Sequence, residues 1–236
     1  MKFRTVACRV AVCLLLCAAM LLCGCAKLHK ITVDGDTYTD HKTGVVYTPL
    51  SSCYEPVLRG AEYAKMDLAG VEYILHEMSD MAPTEYLCSV YNDVYCANAA
   101  AVPAFDEWEV SALYVCTNTA MTAAVLVLDG EEGSDDASMV WNLRDAYVNG
   151  RRVAYPSYYT VEDAYTLRFA SDNVPGLYFC VSYVEYAEDV YEEIDGAEVN
   201  LGRYFIYDRY HKICVAVDSS LHQRLNNVEY GDAETE

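Results

Sequence analysis

The stretch Leu177–Tyr186 restricts the fold more than any other segment of this chain. In Leu-Tyr-Phe-Cys-Val-Ser-Tyr-Val-Glu-Tyr, both alternating sets of side chains are largely apolar or aromatic. A strand of that kind is stable only where both of its faces are covered, which predicts a position in the middle of a sheet. Pro175-Gly176 marks a turn before it. Tyr165–Phe169 alternates more simply, with Tyr165, Leu167 and Phe169 expected inward and Thr166 and Arg168 outward. Other strand candidates are Ile31–Val33 and Thr37–Thr39 around an Asp34-Gly35 turn, Val45–Thr48, Gly70–Met78, Val94–Cys96 and Ala112–Thr117. The run Thr122–Leu128 is expected to form a hairpin with its predecessor. Tyr204–Tyr207 and Ile213–Val217 close another over Asp208–Lys212. Val153–Tyr155 reads as a short edge strand, Ala61–Met66 as a helical turn, and the acid-rich Glu188–Gly202 as a connection.

One helix is predicted, over about 135–149. Ser134 or Asp135 is expected to cap its first amides, and Met139, Val140, Leu143, Ala146 and Tyr147 share one face. Gly150 is expected to end it in the left-handed conformation. A helix flanked by strands, with too few helices for repeated βαβ units, predicts an α+β fold: a mainly antiparallel, tyrosine-rich β-sheet with one well-defined helix. The 22 tyrosines and a hydrophobic fraction of 53% are ample for a packed core. The expected organisation is a segment 1–24 to be removed, a tether over 25–30, one domain over 31–227 with a possible sub-division near 129–134, and an acidic tail over 228–236. Leu221–Leu225 adds a last helical turn.

The start of the chain has a different character. Lys2, Arg4 and Arg9 precede the uncharged run Val10–Leu22, which has the make-up of a secretory signal peptide and is short for a membrane span. Leu22-Cys23-Gly24-Cys25 then resembles the lipobox of bacterial lipoproteins. Leu22 and Gly24 match that pattern, and Cys23 stands where Ala or Ser is usual. The resemblance implies that Cys25 is acylated by lipid of the palmitate type and becomes the first residue after cleavage. It also implies a place on the extracytoplasmic face of the cell membrane. The globular part resembles uncharacterised Firmicutes-type lipoproteins, for which no activity follows.

Removing 24 of the 236 residues leaves 212, with 13 basic against 36 acidic side chains. That charge disfavours nucleic acid and anionic lipid, so the membrane is expected to be held through the lipid on Cys25 alone. Of the 11 cysteines, six lie beyond Cys25: Cys53, Cys88, Cys96, Cys116, Cys180 and Cys214. They match no zinc spacing and are expected to be reduced or partly paired, with Cys88 and Cys96 the best candidates for a disulfide. His211 and Cys214 form an H-x-x-C pair better read as a turn histidine and a buried thiol. Asp34, Asp36 and Asp40 are weak candidates for a cation site, lacking the spacing of a calcium loop. Tyr158 and Tyr159, in a loop after Pro156, are candidates for a ligand platform. No catalytic signature occurs, and no cofactor is implied.

The expectation is therefore a lipid-anchored envelope protein acting as a non-enzymatic binding or accessory module toward an envelope protein, peptide or glycan. The alternatives are a cell-envelope hydrolase acting on wall or peptide substrates and, against the low helix content, a transporter solute receptor.

Overall fold

The computed structural model describes residues 28–117 and 124–231. The segment 1–24 that is expected to be removed, with Leu22, Cys23 and Gly24, then Cys25 and the end of the acidic tail, lie outside the described residues. Seven strands of the N-terminal part close into a small barrel. In chain order they are β1 (His29–Asp34), β2 (Thr37–Asp40), β3 (Val46–Pro49), then, after the short β4 (Tyr54–Pro56), β5 (Arg59–Leu68), β6 (Val71–Met78), β7 (Tyr86–Ser89) and β8 (Val94–Cys96). Around the ring the order is β1-β2-β3-β8-β7-β6-β5. Neighbours are antiparallel except at the closing seam, where β1 runs parallel to β5 with His29 opposite Ala64 and Ile31 opposite Met66. Ile31, Tyr38, Tyr47, Ala64, Met66, Leu75, Leu87 and Tyr95 fill the interior. Closure leaves no edge strand exposed.

The second sheet has seven strands. It contains β9 (Val110–Thr117), β10 (Ala124–Asp129), β11 (Val161–Ser171), β12 (Leu177–Ile194), β13 (Ala197–Asp208) and β14 (Ile213–Val217), ordered β10-β9-β11-β12-β13-β14, with β4 added alongside β12. The central position expected for the Leu177–Tyr186 run is observed. Its two residue sets enter two different cores: Val181 and Tyr183 face one side, Val184 and Tyr186 the other. On the first side lies the main core, where Phe105 stacks on Phe179 with ring centroids 3.9 Å apart. Cys53, Met78, Cys88 and Val94 of the N-terminal part join this core. Barrel and sheet thus share apolar contacts.

The described residues are mostly β, 53% strand against 14% helical, and their strands form a closed barrel besides the open sheet. This overturns the α+β expectation of a single sheet with a helix over 135–149. The helix itself is present as α1 (Ala137–Asn149), burying Val140, Leu143 and Tyr147. A second, α2 (Ser220–Gly231), extends the turn expected at Leu221–Leu225 and sends Leu221 and Leu225 into the main core.

Other local expectations are corrected. Ser134 does not cap α1. Its hydroxyl accepts from the Asp136 amide and donates to the Asp129 carbonyl, closing the turn that precedes the helix. Gly150 is extended rather than left-handed. It is required by close packing, since a Cβ there would lie 2.2 Å from the Ala146 carbonyl oxygen and 2.6 Å from Val215 Cγ1. Ala61–Met66 belongs to strand β5, and residues 153–155 form no strand. The acidic Glu188–Gly202 passage is mostly paired strand. It is a hairpin turning at Asp195-Gly196, both with positive φ, a geometry that matches the twist of the flanking strands.

Candidate functional site

The structure separates the residues singled out from sequence. Asp34 and Asp36 are exposed near the first hairpin turn, while Asp40 is wholly buried. Asp40 accepts hydrogen bonds from the Lys42 amide at 2.8 Å, Thr43 Oγ1 at 2.9 Å and Tyr63 OH at 2.9 Å, and His29 Nε2 lies 3.1 Å away. Burial alone would raise its pKa. These donors outweigh burial and hold the carboxyl down at about 2. The three aspartates therefore do not form one site.

Cys88 and Cys96 lie on adjacent strands but out of register, with Cys88 opposite Val94 and Cys96 opposite Tyr86. Neither is bridged, and all six cysteines among the described residues are buried free thiols. Tyr158 is fully exposed. Tyr159 is half-buried against Tyr186, and its hydroxyl accepts from the Tyr191 amide at 3.1 Å. They therefore do not form one flat platform.

His211 and Cys214 also part company. Cys214 enters the core on the far face of the sheet. His211, in the β13–β14 hairpin, instead meets Asp208 at the end of β13 and Cys53 in the turn before β4. Cys53 Sγ donates to Asp208 Oδ1 at 3.2 Å, and His211 Nδ1 lies 2.6 Å from Asp208 Oδ2. Cys53 Sγ is 3.8 Å from His211 Nδ1. The hairpin amides of Tyr210 and His211 donate to Asp208 Oδ1 at 2.8 and 3.0 Å, and Tyr147 OH of α1 donates to Oδ2 at 2.7 Å.

Asp208 is only 2% exposed, and burial raises its pKa. The His211 amide, Tyr147, the His211 ring and Cys53 outweigh that penalty and leave it below the ordinary carboxylate value. Burial, then the charge of Asp208, pushes the Cys53 thiol up to about 12. A thiol held so strongly in its protonated form is a poor nucleophile. As it stands, the arrangement does not support thiolate catalysis. Beside it lies a cavity of about 180 Å³ whose lining includes Ser52, Tyr207 and Tyr210.

A larger cleft, about 540 Å³, opens where the barrel meets the sheet. Its floor is a row across four strands in which Val127 pairs with Tyr114, Tyr114 with Arg168 and Arg168 with Cys180. Arg168, expected to point to solvent, is nearly buried because Glu55 of β4 covers it at 2.7 Å. Tyr114 and Tyr178 meet edge to face at 5.4 Å. Leu58, 62% exposed, and Val127, 53% exposed, stand at the rim with Arg59.

Neither constellation was visible in the sequence. Cys53 and Asp208 are separated by 155 positions. Only the Asp208-x-x-His211 spacing over a hairpin is local, and it matches a common turn. In comparisons with known proteins, the chain matches no family model, no curated protein and no solved structure.

Proposed function

We propose that this protein is a lipid-anchored binding module on the outer face of the cell membrane, taking an extended peptide segment of an envelope protein into the cleft between barrel and sheet. The cleft carries the reading. Its 540 Å³ is within the range of ligand sites, and it combines aromatic walls with a few fixed polar groups, Arg59, Glu55 and Arg168. Strand β10 borders it and, among the described residues, pairs only with β9. Its outward Val125 and Val127 are exposed. A free strand edge with an apolar flank suits the addition of an extended peptide as a further strand.

The anchor rests on the lipobox-like Leu22-Cys23-Gly24-Cys25. Two features agree with it. Among the described residues no helix is long and apolar enough to cross a membrane. Strand β1 starts at His29, four residues after Cys25, which would hold the barrel against the bilayer. A surface with this acidic excess gains nothing from anionic lipid, so the acyl chains would carry the attachment.

A photo-crosslinking residue placed at Leu58 in intact cells tests the cleft. A discrete, protease-sensitive adduct is expected, absent when the same residue is placed at the exposed Glu198. A protease-resistant adduct would indicate a glycan, and no difference between the two positions would remove the cleft from consideration. For the anchor, Cys25→Ala is expected to leave the membrane fraction as a folded, soluble protein.

A further inference from the structure

The Cys53–Asp208–His211 cluster has a second reading. The three ligating atoms lie within 4.8 Å of one another. A tetrahedral zinc ion with bonds of about 2.0–2.3 Å sets neighbouring ligand atoms roughly 3.3–3.8 Å apart. The sulfur lies close to that spacing, slightly inside it at 3.2 Å from Asp208 Oδ1 and at its upper end at 3.8 Å from His211 Nδ1. His211 Nδ1 sits 2.6 Å from the other carboxylate oxygen, Oδ2, and that contact must open for both groups to ligate one ion. His211 has the freedom to do so, being on a hairpin with its side chain 43% exposed. Asp208 is meanwhile held in orientation by Tyr147 OH and by the amides of Tyr210 and His211. Such outer contacts fix a ligand before the ion arrives.

We propose that Cys53, Asp208 and His211 bind one zinc ion, with its fourth position open toward the adjoining 180 Å³ cavity. A thiolate, an imidazole and a carboxylate together select zinc over calcium or magnesium, which take oxygen ligands alone. The protons balance as follows. The carboxylate is already ionised, and it accepts from both the thiol and, at the distance seen, an Nδ1 proton of the imidazole. Zinc takes the place of both protons. The thiol proton leaves to solvent, while the imidazole exchanges its Nδ1 proton for one on Nε2. One proton is released per ion, and the two ligand charges neutralise the metal. Affinity therefore rises about tenfold per pH unit over the range in which the free site holds its thiol protonated. Three protein ligands and one open position are the arrangement of zinc sites that bind a water or a further ligand. This inference goes beyond the cleft reading and rests on neither the cleft nor the lipid.

The test is a zinc titration of the detergent-solubilised full chain, kept reduced and stripped of metal, against a chromophoric chelator. One ion is expected, bound at least 100-fold more weakly by Cys53→Ser and by His211→Ala. His41→Ala and His76→Ala should match the wild type. Cobalt in place of zinc should give a sulfur-to-metal charge-transfer band that Cys53→Ser lacks. His211 is exposed, so His211→Ala keeps the test valid should Cys53→Ser fold poorly; near-UV circular dichroism reports folding for both. Absence of stoichiometric zinc in the wild type, or zinc held equally well by His211→Ala, overturns the proposal. Crosslinking from Leu58 in the same variants distinguishes this outcome from failure of the cleft, because loss of zinc should leave that adduct intact.

Discussion

Asp40 in the barrel and Asp208 in the sheet are close counterparts with different partners. Each ends a strand, each is buried, and each lies below the ordinary carboxylate pKa because several donors outweigh its desolvation. Asp40 faces an amide, two hydroxyls and an imidazole, without a thiol among them. That set closes the turn into Val45, whose carbonyl accepts from the Asp40 amide at 2.9 Å, and ties the turn to β5 through Tyr63. Asp208 has a thiol and an exposed imidazole among its partners, and both can exchange a proton for a metal ion. The same electrostatic device thus serves closure of a turn in one place and an exchangeable site in the other. Soft donors within reach make the difference.

The comparison can be broken most directly by removing the carboxylates. Asp208→Ala leaves Tyr147 OH, Cys53 Sγ and two hairpin amides without their acceptor, and is expected to cost about 3–5 kcal/mol. Asp40→Ala should cost about 2–4 kcal/mol by the same reasoning. Urea unfolding of both measures this. A cost under about 1 kcal/mol for either would show that the network is not structural.

A smaller effect separates them by pH. A carboxyl whose folded pKa is depressed contributes stability above its unfolded pKa and loses it as pH falls through the folded value. For Asp40 the window runs from the unfolded value of 3.8 down to about 2. Stability should fall steeply across it in the wild type and less so in Asp40→Asn, as unfolding at a series of pH values would reveal. An equal slope in both would assign the acid sensitivity elsewhere.

The smallest effect concerns Tyr158. Fully exposed and standing apart from the partly buried Tyr159, it should tolerate Tyr158→Ala with less than about 0.5 kcal/mol change in stability. Crosslinking from Leu58 should also be unaffected. A lost adduct would return Tyr158 to the binding surface.

Several elements were legible because their signals are local. The double-faced apolar run of β12, the stripe of α1 and the β9–β10 hairpin all follow from side-chain periodicity. The barrel did not, since β8 has three residues and β2, β3 and β7 four each, too few to establish a period. Its closure depends on the parallel β1–β5 seam, which joins segments far apart in the chain. The β12–β13 arm was hidden by its acids, because residues 187–189 and most of 191–200 face water. Arg168 was placed outward by alternation, and only the arrival of β4, more than 100 residues earlier in the chain, buries it under Glu55.

The sequence by itself determined which segments must be covered on both faces and where α1 runs. Those properties depend on neighbours along the chain, and periodicity and composition record them. Only the tertiary structure decided that the strands divide between a barrel and a sheet, that Asp40 and Asp208 keep separate company, and that Cys53 meets His211. Such pairings depend on strand register and on which edges close. These are set by the summed burial of many residues, and no short stretch of sequence carries that sum.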